Sequence, residues 1–211
     1  NAFRFYKELE SIRLPDDLMG RYKDPSIRLV SAIKKNDPVT KSSNEILRFM
    51  KRHFMISEKW IINPWNIKEE FSKGVKAVVF IDDFLGTGDQ FDEIIKDSEL
   101  EEAINTNHVF YAPLVAHQKG IDKLKTEYPK LRLIYTERLT LKFHSFFENY
   151  FPEEASFAKV AYLSMFASRG WLFDSGAQFG YGDLEITYAF QHAAPDNSLQ
   201  AFTFRERNWI P

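Results

Sequence analysis

Cysteine is absent from the chain, which excludes disulfides and thiolate metal sites and leaves a reducing compartment open. Long apolar runs are absent too: none approaches the roughly 18 residues that cross a bilayer. The opening NAFRFYKELE lacks the apolar stretch of a signal peptide, so a cytoplasmic protein with no membrane partner is expected. Charge of one sign is scarce. A formal net charge of −2 argues against a chain built to coat nucleic acid, although a local basic patch stays open. No internal repeat, Gly/Ser linker or low-complexity run marks an interior boundary, so residues 1–211 read as a single domain. The chain begins with Asn1 and stops at NWIP, as expected of a piece trimmed from a longer protein. Absent motifs exclude further classes. There is no G-x-x-x-x-G-K-[ST], which argues against a P-loop nucleotidase. Ser145, Ser164 and Ser198 sit in no G-x-S-x-G context, and His108, His144 and His192 show no metal-ligand spacing.

What is present is core material. Hydrophobic residues make up 44% and aromatics 16%, with twenty Phe, which excludes a disordered chain. Three regions follow from the pattern: an N-terminal helical cap (1–26), an α/β core (27–140) and a C-terminal α+β elaboration (141–211). IRLVSAI (27–33) reads as a short buried strand or as a helix capped by Asp24-Pro25-Ser26, because Ile27, Val30 and Ile33 recur at helical spacing. KKNDPVTKSS is a loop. Ser42-x-x-Glu45 then reads as a capping box, opening a helix with Ile46, Leu47, Met50 and Phe54 on its apolar face. A strand over Ala77–Asp82 precedes a helix from about Gln90 to Asn105. HVFYAPLVA is a strand, GIDKLKTEY a helix and LRLIYTE a strand. This alternation predicts a doubly wound, mainly parallel sheet. Further on, SFAKVAYLSMFAS is a helix with Phe157, Val160, Ala161 and Ser164 on one face. LEITYAF and LQAFTF read as two strands joined by the turn QHAAPDNS.

The stretch VVFIDDFLGTGDQF (78–91) carries the chemistry. Ligands of open parallel sheets bind outside the carboxyl ends of the strands, where Asp82 and Asp83 fall. An unpaired buried carboxylate costs several kcal/mol, and two neighbours repel, so a metal ion, ligand hydroxyls or backbone N–H groups must offset the cost. Gly86-Thr87-Gly88 supplies a turn able to visit positive φ, with a helix N-terminus behind it, a setting that suits a phosphate. Acids beside a phosphate cradle point to a sugar phosphate. Three plainer readings stand beside this one: a Walker-B-like strand end, a Rossmann turn (weakened because Phe91 stands where the third Gly belongs), and a simple helix cap. His117, at the same sheet edge, is either an acid/base or acceptor contact, or a partly exposed loop histidine. Glu137 and Arg138, at the end of the next strand, read as a surface ion pair.

In order and spacing, Asp82-Asp83-Phe84-Leu85-Gly86-Thr87-Gly88 resembles the signature of the type I phosphoribosyltransferases, two acids after an apolar strand and then Thr-Gly. The resemblance implies 5-phosphoribosyl-1-pyrophosphate or a nucleotide as ligand, Mg²⁺ as cofactor, and transfer or cleavage at ribose C1. It places Asp82 and Asp83 on the ribose hydroxyls, directly or through the metal's shell. It places Thr87 with the Gly86, Gly88, Asp89 and Gln90 turn on the 5′-phosphate. The family's earlier anion loop would fall at Lys41, Ser42 and Ser43, which favours a strand over 27–33; an ordinary capping box with a solvated lysine explains those three residues equally. Departures are Gln90 where Thr is common, Asp89 beside the phosphate, Gly86 where some purine enzymes carry an acid, and a short segment where the covering hairpin usually lies. These departures favour a rival reading, a non-catalytic nucleotide- or nucleic-acid-binding module. The wider pattern, including APLVAHQKGI and Pro195-Asp196-Asn197-Ser198-Leu199, is similar to phosphoribosyltransferase-like domains of bacterial antiphage systems, some retron-associated. That similarity implies an effector role and partner subunits of a defence complex. Trp171, Phe173, Phe179 and Tyr181 read either as core or as a hood over a base.

Overall fold

The computed structural model describes residues 26–38, 41–168, 178–190 and 194–202. The expected helical cap (1–25 of it), Trp171 and Phe173 of the aromatic hood, part of the turn at 191–193 and the chain from 203 onward lie outside the described residues. The chain divides into two compact units, residues 1–138 and 139–211.

In the first unit, apolar runs build a mainly parallel sheet with helices on its faces. β1 (Ile27–Ser31), β2 (Ile61–Ile62), β3 (Ala77–Leu85), β4 (His108–His117) and β5 (Arg132–Leu133) lie in the order β2-β1-β3-β4-β5, each pair parallel. A short β6 (Glu137–Leu139) also pairs with β4. The segment 27–33 is therefore a strand, registered Ile27↔Ala77 through Ser31↔Ile81 against β3. All five residues of β1 and the first seven of β3 are buried, as a two-sided parallel sheet requires, and the buried Arg28 of β1 pairs with Glu70 at 2.7 Å.

The crossovers carry α1 (Ser42–Phe54), α2 (Ile67–Ser72), α3 (Asp89–Asp97), α4 (Glu101–Thr106) and α5 (Gln118–Glu127). Alternation along β3 sends Val78 and Phe80 into one cluster with Phe91, Ile94, Ile121 and Leu124. Val79 and Ile81 go to the opposite cluster with Leu47 and Trp60, against which Ile46, Met50 and Phe54 of α1 pack. From β1 the sheet grows one way to β2 and the other way to β3, β4 and β5. The reversal between β1 and β3 is the topological switch point, where α/β sheets of this order open a crevice for ligands.

Three expectations are corrected here. β3 does not stop at Asp82: Phe84 and Leu85 still pair with Val115 and Ala116, because β4 runs on to His117 and offers them a ladder. The single helix expected over 90–105 is two, parted where Glu99 takes a left-handed φ of 51° and Leu100 turns into the core. The strand LRLIYTE is interrupted: Arg132–Leu133 forms β5 and Glu137 opens β6, while between them the backbone N–H groups of Ile134 and Thr136 still donate to Tyr111 and Leu114 of β4.

In the second unit, α6 (Leu141–His144), α7 (Phe146–Tyr150) and α8 (Ala155–Ala167) carry a core of Phe147, Phe166, Leu184, Ile186 and Leu199. The two C-terminal strands are not formed among the described residues. One bridge, Ile186↔Ser198, is present, and Gln200–Phe202 is a 3₁₀ turn. The cause is local. Asp183 and Glu185 both adopt left-handed backbone (φ 55° and 54°), which no pleated strand accommodates. Glu185 is held there by Ser145, whose hydroxyl donates to Oε2 at 2.6 Å, and by Lys159 at 2.5 Å from Oε1. The α8 face bearing Phe157 and Val160 is exposed.

Candidate functional site

Asp82 and Asp83 are adjacent, so the pleat sends them to different faces of the sheet. Asp82 is buried on the side of β4. Its Oδ2 accepts the Tyr111 hydroxyl at 2.7 Å and its Oδ1 accepts the backbone N–H of Asp83 at 3.1 Å. Phe91 stacks on the Tyr111 ring with centroids 3.9 Å apart and seals that side. Burial pushes the Asp82 carboxyl well above the usual carboxylate range; the neighbouring Asp83 charge adds to the rise, and the Tyr111 hydrogen bond opposes it. The same burial, with the Asp82 charge, drives the Tyr111 phenol well above its usual value.

Asp83 meets the other face. Its Oδ1 accepts the Ser42 hydroxyl at 2.9 Å. The capping-box expectation is corrected by this bond. Lys41 occupies the N-cap position, Ser42 is the first helical residue, and no side chain caps α1. One residue on, the Ser43 hydroxyl reaches the Ala32 carbonyl at 3.4 Å, and so does the Gln90 amide, also at 3.4 Å. The loop after β1, the start of α1 and the start of α3 thus meet at the β1/β3 switch point. Lys41, half-buried, stands at the head of α1 beside them.

The turn itself is tightly built. Gly88 has φ 90° and ψ −4°, a conformation that strains any side chain. A Cβ on Gly120 of α5 would come within 2.4 Å of the Gly86 carbonyl oxygen, so only glycine lets α5 lie against the turn. Thr87 is 7% exposed, and its hydroxyl donates to Asp89 Oδ2 at 2.6 Å. Asp89 Oδ1 in turn pairs with Lys123 of α5 at 2.6 Å. Asp89, with its side chain 40% exposed, is thus an ion-pair partner at the rim of the turn. Behind it, Asp92 takes Lys96 at 2.8 Å, Lys123 at 3.4 Å and the Tyr128 hydroxyl at 2.6 Å. Burial works against the charge of Lys123, but the hydrogen bond and charge of Asp89, with Asp92 behind, hold its ammonium above the usual lysine value. His117 is not a loop residue. It is 1% exposed at the end of β4, where Nδ1 accepts the Lys119 N–H at 3.2 Å and caps α5. Glu137 and Arg138 are exposed on β6.

Tyr111, Gly120 and Lys123 were missed from sequence. A phenol inside an apolar run needs a partner, and a glycine inside a helical pattern needs a packing reason; those two signals were available for Tyr111 and Gly120. The Asp89–Lys123 pair spans 34 positions and carries no local signal.

The donor set fits Mg²⁺ only in part. Asp82 does not fit as a direct ligand, since both its oxygens are committed and burial favours its neutral form. Among the described residues no three Asp, Glu or His side chains converge on a metal position. Mg²⁺ usually keeps several waters and takes one or two carboxylates plus substrate phosphates, and Asp83 fits that outer role. In the second unit, a cavity of about 300 Å³ is lined by Phe143, His144, Tyr150 and Tyr188 among others.

A parallel sheet with its switch point between β1 and β3, two acids on β3 and a glycine turn heading α3 are what a phosphoribosyltransferase-like protein requires. The model of the family PRTase-CE matches residues 15–211, and the chain belongs to that family. No curated protein and no solved structure matches it. No helix among the described residues is long and apolar enough to cross a membrane.

Proposed function

We propose that the chain binds a ribose-5-phosphate compound, phosphoribosyl pyrophosphate or a nucleotide, at the β1/β3 switch point and acts at ribose C1. The observation that carries this reading is the 2.9 Å bond from Ser42 to Asp83, which ties the earlier loop to the acidic strand at the place where such sheets bind ligands. In this reading the 86–90 turn takes the 5′-phosphate and Asp83 takes a ribose hydroxyl. The head of α1 at Lys41, Ser42 and Ser43 takes the pyrophosphate, with a positive charge and helix N–H groups, the two serine hydroxyls being engaged by Asp83 and the Ala32 carbonyl. Asp82 supports Asp83 from behind through its backbone N–H. The bond from C1 to the pyrophosphate oxygen breaks, its electron pair leaves with pyrophosphate, and an acceptor or water attacks C1 and loses its proton to solvent. The positive charge that develops on the ribose is stabilised by the Asp83 carboxylate. Mg²⁺, held through its water shell at Asp83, would neutralise the departing pyrophosphate.

Titration calorimetry with phosphoribosyl pyrophosphate and Mg²⁺ tests the binding. Wild type should bind and Asp83→Asn should bind at least about tenfold more weakly, the loss of one charge-assisted contact of 1.5 kcal/mol or more. No binding by wild type removes the reading.

A second reading, a non-catalytic nucleotide- or nucleic-acid-binding module, draws on two observations: Thr87 donates to a carboxylate, and Asp82 is sealed from solvent. Release of pyrophosphate or free base separates the two, and the absorbance ratio of the purified protein reports bound nucleic acid. The setting we propose, from the resemblance to antiphage domains, is a cytoplasmic, retron-associated defence complex with partner subunits. Plaque counts on cells carrying wild type or Asp83→Asn test it.

A further inference from the structure

Asp89 puts a carboxylate in the turn proposed above for a phosphate, and the geometry shows how that charge is managed. Thr87 has one hydroxyl hydrogen, and it is spent on Asp89 Oδ2 at 2.6 Å. The same hydrogen cannot serve a phosphate while that bond stands. Asp89's other oxygen is held by Lys123 at 2.6 Å, and Lys123 is itself tied to Asp92 at 3.4 Å, 31 positions away on α3. Lys123 reaches this position because Gly120, one turn earlier on α5, lets the helix lie against Gly86. Asp92 does not need Lys123, having Lys96 and Tyr128 as well.

We infer that Lys123 is a positioning residue that makes the 86–90 turn competent for a phosphate: it is the counter-ion that takes Asp89 when an anion claims the Thr87 hydroxyl. In the free protein, Asp89 stands in for the phosphate on Thr87. When a phosphorylated ribose arrives, Thr87 changes acceptor and the Asp89 charge is neutralised by Lys123 instead of repelling the ligand. The inference rests on the proposed function, since it assigns a device to that site. It also distinguishes two roles for the lysine. A lysine that compensates Asp89 becomes dispensable once Asp89 is neutral; a lysine that grips the phosphate itself does not.

Calorimetric titration of ribose 5-phosphate into the full chain at neutral pH, with circular dichroism to verify folding, decides between them. Lys123→Met should weaken binding about fivefold, as expected for one partly exposed charge pair. Lys123→Arg should restore most of the affinity. Asp89→Asn should bind at least as tightly as wild type, and Asp89→Asn/Lys123→Met should match Asp89→Asn. Unchanged affinity in Lys123→Met overturns the inference, and so does a double variant as weak as Lys123→Met, which would show that the lysine contacts the phosphate. If Lys123→Met does not fold, Asp89→Asn alone decides, weaker binding overturning the inference. Absence of binding by wild type instead overturns the site reading and this device with it.

Discussion

Asp82 and Asp83 share a sequence motif but not a surrounding. One is enclosed by Tyr111 and Phe91 between β3 and β4. The other looks across to Ser42 at the head of α1. Strand alternation divides the pair between the two sides of the sheet, so a motif that reads as one acidic site does two jobs. Asp82 supports the strand and its neighbour's backbone, while Asp83 faces the head of α1, where the proposed ligand would lie.

The sharpest way to break that comparison is to truncate each acid. Asp82→Ala leaves the Tyr111 hydroxyl buried without an acceptor and should cost about 1–3 kcal/mol in urea unfolding. Asp83→Ala should cost less than half as much, because its Ser42 partner is half-buried and its hydroxyl can turn to water. Equal costs would erase the distinction. Gly120→Ala comes next. Its added methyl meets the Gly86 carbonyl, an overpacking expected to cost about 1–3 kcal/mol and to weaken ribose 5-phosphate binding as the turn shifts. Loss of stability with full affinity would mean that the turn is not the phosphate contact.

The smallest effect is in the pH profile. Asp82 has a folded-state carboxyl raised above its unfolded value near 4, so the folded state holds the extra proton between the two. Its contribution is fully present below the unfolded value and is lost as pH rises through the raised one. Asp82→Asn should flatten that decline in a series of unfolding curves, and Asp83→Asn should leave it largely in place. A decline that survives Asp82→Asn would assign it elsewhere.

Much of the first unit was legible because parallel strands buried on both faces carry long apolar runs, as β3 and β4 do; β1, interrupted by Arg28, fitted helical spacing as well and was separated from it only by the family resemblance. The Gly-Thr-Gly turn was legible because few chain segments need those residues after two acids. What escaped depends on distant partners. β3 runs past Asp82 because β4 is long enough to pair with it. Asp89 finds an ion-pair partner because Lys123 lies on a helix packed against the turn. In the second unit, LEITYAF has the alternation of a strand. It is overruled at Glu185, where Ser145 and Lys159 converge on the carboxylate and the backbone takes a left-handed turn. Buried ion pairs set local conformation there, and no periodicity announces them.

In the proposed function the β1/β3 switch point receives a phosphorylated ribose. Backbone amide shifts followed by NMR during titration with ribose 5-phosphate and Mg²⁺ test it most directly. The largest movements are expected at Ser42, Ser43 and the 86–90 turn, with Asp83 shifting more than Asp82. Movements confined to the cavity bounded by Phe143, Tyr150 and Tyr188, with the turn unmoved, would contradict it.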